Sequence, residues 1–213
     1  MKCPICRHEA KRFHPFGRAS TRENAKCPAC GSLERHRLLW LYLKRVAPIP
    51  DDAIVMHFAP ERCLRQKLTG HKFDYITADI KGGHGMRKID ITDIPELNDM
   101  YDVLLCSHVL EHVSDDRKAI SEITRVLDPS GFAIVTVPLF GGLACDDAVI
   151  ADAEERARRY GQATHVRAYG LDFPDRFPGV NITAIDSTTF LSASEIAEFN
   201  PLDGYSGMYV VQK

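Results

Sequence analysis

The stretch Tyr101-Asp102-Val103-Leu104-Leu105-Cys106-Ser107-His108-Val109-Leu110-Glu111-His112-Val113 decides how the chain is read. Its first half is a near-continuous apolar run, the pattern of a strand buried on both faces of a sheet. A strand over 101–109 delivers Cys106, Ser107 and His108 at its C-terminal end. The next helix is capped by Asp115 or Asp116 and buries Ala119, Ile120, Ile123, Val126 and Leu127, spaced at three and four residues. Pro129-Ser130-Gly131 then turns the chain into another strand over 132–138.

The same alternation extends upstream. Residues 54–58 form a short apolar strand that breaks at Ala59-Pro60, 61–68 a short helix stopped by Gly70, 73–80 a second strand and 87–91 a weak third. Alternating strands and helices predict an α/β fold with a parallel sheet covered on both faces. Ligands of such sheets bind beyond the C-terminal ends of the strands. Asp79 closes the second strand, where an open α/β sheet places a carboxylate for ribose hydroxyls. Asp90 lies at the end of the third strand, in position to accept from an exocyclic amine. With the Cys106-Ser107-His108 end of the fourth strand, these acids describe a nucleoside site.

Of the 213 residues, 27 are Lys or Arg and 29 Asp or Glu, a net charge of −2, with 45% hydrophobic and 26% charged. That balance excludes a disordered, collagenous or coiled-coil chain. The longest apolar run, 38–43, is six residues, too short to span a membrane. The start, MKCPIC, is not a secretory leader, so the expected location is cytoplasmic with reduced thiols.

The total conceals an asymmetry. Residues 1–46 carry eleven Lys or Arg and three Glu, a local charge of +8, and the remainder carries −10. Four of the seven cysteines fall in the basic head, as Cys3-Pro4-Ile5-Cys6 and Cys27-Pro28-Ala29-Cys30. Two Cys-x-x-Cys steps supply a tetrahedral thiolate set for a structural zinc ion, which leaves no open position for substrate. His8 and His14 are alternative ligands for one position, and a redox pair or unrelated surface thiols are the alternative reading of the motif. The head's bases (Lys2, Arg7, Lys11, Arg12, Arg18, Arg22, Lys26), with Phe13 and Phe16, suit either a solvated face or contacts to RNA phosphates and bases. Ser32 is expected to cap a linking helix that carries Leu33, Leu39, Leu43 and Val46 and ends before Pro48. The expected domains are a zinc ribbon at 1–31, a linking helix at 32–50 and the α/β body at 51–213.

Taken together, these residues resemble a class I S-adenosylmethionine-dependent methyltransferase of the type 11 kind. The likeness is carried by residues 101–113 and by Arg125-Val126-Leu127-Asp128-Pro129-Ser130-Gly131-Phe132, with Asp90-Ile91-Thr92-Asp93-Ile94-Pro95 and Asp79 in support. It implies a Rossmann-like seven-stranded sheet in the order 3-2-1-4-5-7-6, with an antiparallel seventh strand. Residues 182–186 and 208–212 would be the sixth and seventh strands. It also implies S-adenosylmethionine held by His57, Ala59, Glu61, Asp79, Ile80, Asp90, Ile91 and Ser107. The chain departs from the family at the first strand's turn, where His57-Phe58-Ala59-Pro60-Glu61 replaces an acid and a glycine-rich loop. Ala59 is small enough to approximate one glycine, Pro60 removes a backbone donor, and Glu61 is placed to receive the methionine ammonium.

Methyl transfer to oxygen or nitrogen benefits from a general base, and His108 is best placed, with His112 a helical turn further and Glu111 able to orient either ring. In the long connection after the fifth strand, a charged helix over 146–160 precedes Gly161-Gln162-Ala163-Thr164-His165-Val166-Arg167-Ala168-Tyr169-Gly170. Similar stretches in zinc-ribbon methyltransferase-like sequences place His165, Arg167 and Tyr169 over the active site as substrate contacts. Loop ordering is the alternative. Residues 187–206 add to the substrate wall. Three functions follow: methylation of a small molecule, methylation of RNA docked on the head, or a non-catalytic zinc-binding adaptor.

Overall fold

The computed structural model of the chain describes residues 1–17, 21–83, 86–140, 144–145, 150–202 and 206–213. In chain order its strands are β1 (His14–Phe16), β2 (Arg22–Lys26), β3 (Ile54–Phe58), β4 (Asp74–Asp79), β5 (Arg87–Lys88), β6 (Tyr101–Ser107), β7 (Leu127–Pro138), β8 (Asn181–Ala184) and β9 (Ser206–Gln212). The helices are α1 (Glu34–Arg45), α2 (Arg62–Leu68), α3 (Asp116–Val126), α4 (Ala153–Tyr160) and α5 (Ala193–Phe199). Two compact units result: one of Met1–Pro50, Glu61–His71 and Asp186–Gly204, the other of Asp51–Pro60, Lys72–Ile185 and Tyr205–Lys213.

The second unit is built on a seven-stranded sheet, ordered β5-β4-β3-β6-β7-β9-β8. Numbering only these strands gives the expected 3-2-1-4-5-7-6. β3 pairs in parallel with β4 and β6, and β6 with β7, whereas β9 runs antiparallel to β7 and β8. Met56, Leu104, Cys106, Val135 and Val137 are fully or almost fully buried in its core, as are Ala119, Ile123 and Val126 of α3. Each such large apolar side chain contributes roughly 1.5–3 kcal/mol relative to exposure. Asp115 caps α3 by accepting from Lys118 N at 2.9 Å. Before the regular part of β7, the chain bulges over 128–131, where Asp128 Oδ1 accepts from Ser130 N at 2.8 Å. Glycine is needed at 131, because a Cβ there would lie 2.5 Å from Asp102 O.

The first unit pairs β1 with β2 antiparallel and adds α1, α2 and α5. Arg37 of α1 is its fully buried centre. Its Nη1 donates to Ala25 O and Ser32 O, both at 2.9 Å, and Nη2 to Asn200 O at 2.6 Å, while the guanidinium lies 5.1 Å from the Phe13 ring centroid. Trp40 Nε1 donates to Pro4 O at 3.1 Å, tying α1 to the first Cys-x-x-Cys step. The cap of α1 is Leu33 instead of the expected Ser32, and Leu33 N donates to His36 Nδ1 at 3.1 Å. Arg18 and the expected helix start at Asp146 lie outside the described residues; the described helix in that connection is α4, capped by Asp152. Among the described residues no helix is long and apolar enough to cross a membrane.

Candidate active site

A cavity of about 540 Å³ opens at the C-terminal ends of β3, β4, β5 and β6. Its volume lies in the range of small-ligand and cofactor sites. Phe58 and Ala59 contribute from the end of β3, Asp79 and Ile80 from β4, and residues 89–92 from the segment after β5. His108, Val109 and residues 112–115 close it from the turn after β6. Ala59 takes φ +44°, a left-handed backbone that glycine ordinarily supplies, and its N donates to Ala78 O at 2.7 Å. Asp79 Oδ1 accepts from Lys81 N at 2.8 Å, and Asp90 Oδ1 accepts from Thr92 N at 2.9 Å. In both acids these bonds engage Oδ1, which leaves Oδ2 for a ligand donor. Ile80, 56% exposed, and the buried Ile91 give the cavity apolar surface between the acids.

His108 also adopts a left-handed backbone, φ +54°. Its Nδ1 lies 3.1 Å from Glu111 Oε1 and its Nε2 3.1 Å from Ser206 Oγ. Glu111 is fully buried. Burial pushes its carboxyl pKa up, but the His108 hydrogen bond and the charges of His108 and His112 outweigh that, and the net shift is downward. With Nδ1–H turned toward the Glu111 carboxylate, the lone pair of a neutral His108 lies on Nε2.

The match to known sequences begins inside the second Cys-x-x-Cys step. A family model described as a methyltransferase domain matches residues 29–135, half of the chain. The chain belongs to this methyltransferase family. It carries the fold of the S-adenosylmethionine-dependent enzymes that its sequence resembles. No curated protein matches the sequence. Among solved structures, the YcgJ protein of Bacillus subtilis is similar at 16% identity and a TM-score of 0.59, over 84% of this chain and 98% of that one. A SAM-dependent methyltransferase from Archaeoglobus fulgidus is similar at 12% identity and a TM-score of 0.53, over 85% and 95% of the two chains. Haemonchus contortus phosphoethanolamine N-methyltransferase 2, solved with S-adenosyl-L-methionine, is similar at 11% identity and a TM-score of 0.52, over 83% and 51%. At these identities the likeness is one of fold.

In this methyltransferase the cavity gathers Ala59, Asp79, Ile80, Asp90, Ile91, His108 and His112 from the residues singled out in the sequence. His57, Glu61 and Ser107 are not among its lining residues. His57 is fully buried, one residue before Phe58 on β3, so strand alternation sends its side chain away from Phe58, to Tyr75 Oη at 2.8 Å. Glu61 Oε1 lies 3.3 Å from His36 Nε2, in a pair that occupies the acid expected for the methionine ammonium. Ser107 is buried at the end of β6.

The expected substrate contacts are also absent from the cavity wall. Arg167 pairs with the buried Asp116 and donates to Ser114 O at 2.7 Å. Tyr169 Oη donates to Asp116 Oδ2 at 2.9 Å, and Arg176 Nη1 donates to the same oxygen at 2.7 Å. Burial pushes the Asp116 pKa up, and the Arg167 and Arg176 charges with these hydrogen bonds bring it below its ordinary value; burial and the Asp116 charge push Tyr169 up. His165 Nδ1 lies 2.8 Å from Tyr160 O, and burial lowers its pKa. Arg167 and Tyr169 therefore order the loop as core groups. Phe58, Ile89, Val109 and Val113 of the cavity wall read in the sequence as ordinary apolar residues, and Asp115 as a helix cap.

In the other unit one sulfur from each of Cys3, Cys6, Cys27 and Cys30 lies within 4.8 Å of the rest. Cys3 Sγ is 3.7 Å from Cys30 Sγ, and Cys6 Sγ is 3.7 Å from Cys27 Sγ. Ser32, in place of capping α1, sets its Oγ 3.3 Å from Cys3 Sγ and 3.2 Å from Cys30 Sγ. The cluster fits a zinc ribbon: four sulfurs, no aqueous position and a supporting hydroxyl.

Proposed function

We propose that this methyltransferase transfers a methyl group from S-adenosylmethionine to a small-molecule acceptor in the cytoplasm, with a structural zinc ion on Cys3, Cys6, Cys27 and Cys30. The observation that carries the reading is the cavity at the strand ends, with Asp79 and Asp90 on one side and His108 on the other. When bound, S-adenosylmethionine supplies an electrophilic methyl group on a sulfonium sulfur. Asp79 would accept from the ribose hydroxyls and Asp90 from the adenine amine, with Ile80 and Ile91 against the base. Ala59 lets the backbone pass close to the cofactor in place of the family's glycines. His108, its Nδ1–H directed at Glu111, would accept the acceptor's proton on Nε2, with His112 beside it at the wall. The protein otherwise positions the acceptor and excludes water.

The −10 charge outside residues 1–46 favours a small acceptor over a polyanion. The head supports RNA as a second reading: Phe16 is 42% exposed, with Arg22 and Lys26 each 6.0 Å from its ring. The domain boundaries proposed are a ribbon at 1–31, a linking helix at 32–50 and the catalytic body at 51–213. Incubating the zinc-loaded protein with S-[methyl-³H]adenosylmethionine and, separately, a panel of small metabolites or total RNA tests the choice. Label in a metabolite supports the leading reading. Label in RNA, lost in Arg22→Glu/Lys26→Glu, establishes the second.

A further inference from the structure

We propose that Glu111, His112 and His165 form a binding site for a divalent first-row transition ion at the edge of the cavity, distinct from the four-cysteine cluster. One ligand atom from each of the three lies within 4.8 Å of the other two. The geometry of each residue is that of a ligand waiting for a cation. His112 Nδ1 lies 3.1 Å from Thr164 O and His165 Nδ1 2.8 Å from Tyr160 O. Each Nδ1–H is thereby committed to a backbone carbonyl, and each Nε2 keeps its lone pair. Such carbonyl support is how proteins fix the tautomer and orientation of metal-bound histidines. The rings meet edge to face, with centroids 4.8 Å apart.

Glu111 supplies the charge. It is fully buried, its Oε1 faces His108 Nδ1 at 3.1 Å, and its Oε2 accepts no hydrogen bond among the described residues. A buried carboxylate oxygen without a donor is costly, and a metal ion satisfies it. Val166 N donates to Glu111 O at 2.9 Å, holding the segment with His165 against the turn that carries Glu111 and His112.

Two imidazoles and one carboxylate match zinc, manganese or iron(II) sites that retain open positions. His112 also lines the cavity, so an ion here would stand at its wall. The inference does not rest on methyl transfer, and failure to bind S-adenosylmethionine would leave it intact.

Manganese(II) is the suitable probe, since it prefers nitrogen and oxygen to thiolate and leaves a zinc-loaded cysteine cluster alone. Mn²⁺ is titrated into the zinc-loaded full-length protein and followed by calorimetry and electron paramagnetic resonance. The expected result is one Mn²⁺ per chain with nitrogen hyperfine couplings from two imidazoles, and at least tenfold weaker binding by His112→Ala. No stoichiometric Mn²⁺, bound Mn²⁺ without nitrogen coupling, or undiminished affinity in a folded His112→Ala would overturn the proposal. If His112→Ala does not fold, the nitrogen couplings of the unaltered protein decide.

Discussion

His108 holds a left-handed backbone at the end of β6, and this local strain aims its ring at both Glu111 and the cavity. A general base in that position contributes about 10²–10⁴-fold to rate. His108→Ala is therefore expected to lower kcat by at least about 10²-fold while the Kd for S-adenosylmethionine changes little. Steady-state kinetics with calorimetry reads both, and an unchanged kcat removes His108 from the reaction. Residue identity shows where polar groups follow strands, and Asp79, Asp90 and His108, which do so, line the cavity. It does not show which face of a strand a residue takes: His57 and Phe58 are neighbours on β3, and the pleat gives the cavity to Phe58 and the interior to His57.

The strands and α3 were legible because period and capping are local. β3 spans the expected 54–58, and α3 buries the expected face. The segment over 160–177 was less so. Alternation places His165, Arg167 and Tyr169 on one side, but an alternating pattern is the same whether that side meets a ligand or a buried acid. The acid is Asp116, whose charge holds Arg167, Tyr169 and Arg176 at the start of α3. Removing one partner from a buried ion pair costs about 3–5 kcal/mol. Asp116→Asn should lose stability by about that amount in urea unfolding. A loss under about 1 kcal/mol, the worth of an exposed pair, would contradict the assignment. The pH dependence has a fixed sign. Because the folded pKa of Asp116 lies below the ordinary 3.8, its stabilisation is complete well above that pH and disappears as pH falls through the lower folded value. Between unaltered protein and Asp116→Asn, the gap in melting temperature should narrow only in that acidic range.

At the scale of the molecule, a net charge of −2 is the sum of a +8 cysteine-paired head and a −10 catalytic body. Residues 1–31 carry few large apolar side chains, so zinc is expected to hold them folded, as in small metal-stapled domains. The unaltered protein should contain one zinc per chain by elemental analysis, and Cys27→Ser should abolish it and lower the melting temperature; a variant with full zinc content or unchanged melting would contradict a structural site. Charge and cysteine spacing point to a basic head and an acidic body. They do not show that residues 61–71 and 186–204 group with residues 1–50, because those segments come from distant sequence and bear no motif. The central claim, that the cavity beyond β3, β4 and β6 holds S-adenosylmethionine, is tested most directly by titrating S-adenosylmethionine into the zinc-loaded protein in a calorimeter. Saturable binding at one per chain, weakened at least about tenfold in Asp79→Ala through loss of the charge-assisted ribose contact, is the predicted result. Absence of binding, or binding indifferent to Asp79, would contradict the account and favour a non-catalytic adaptor.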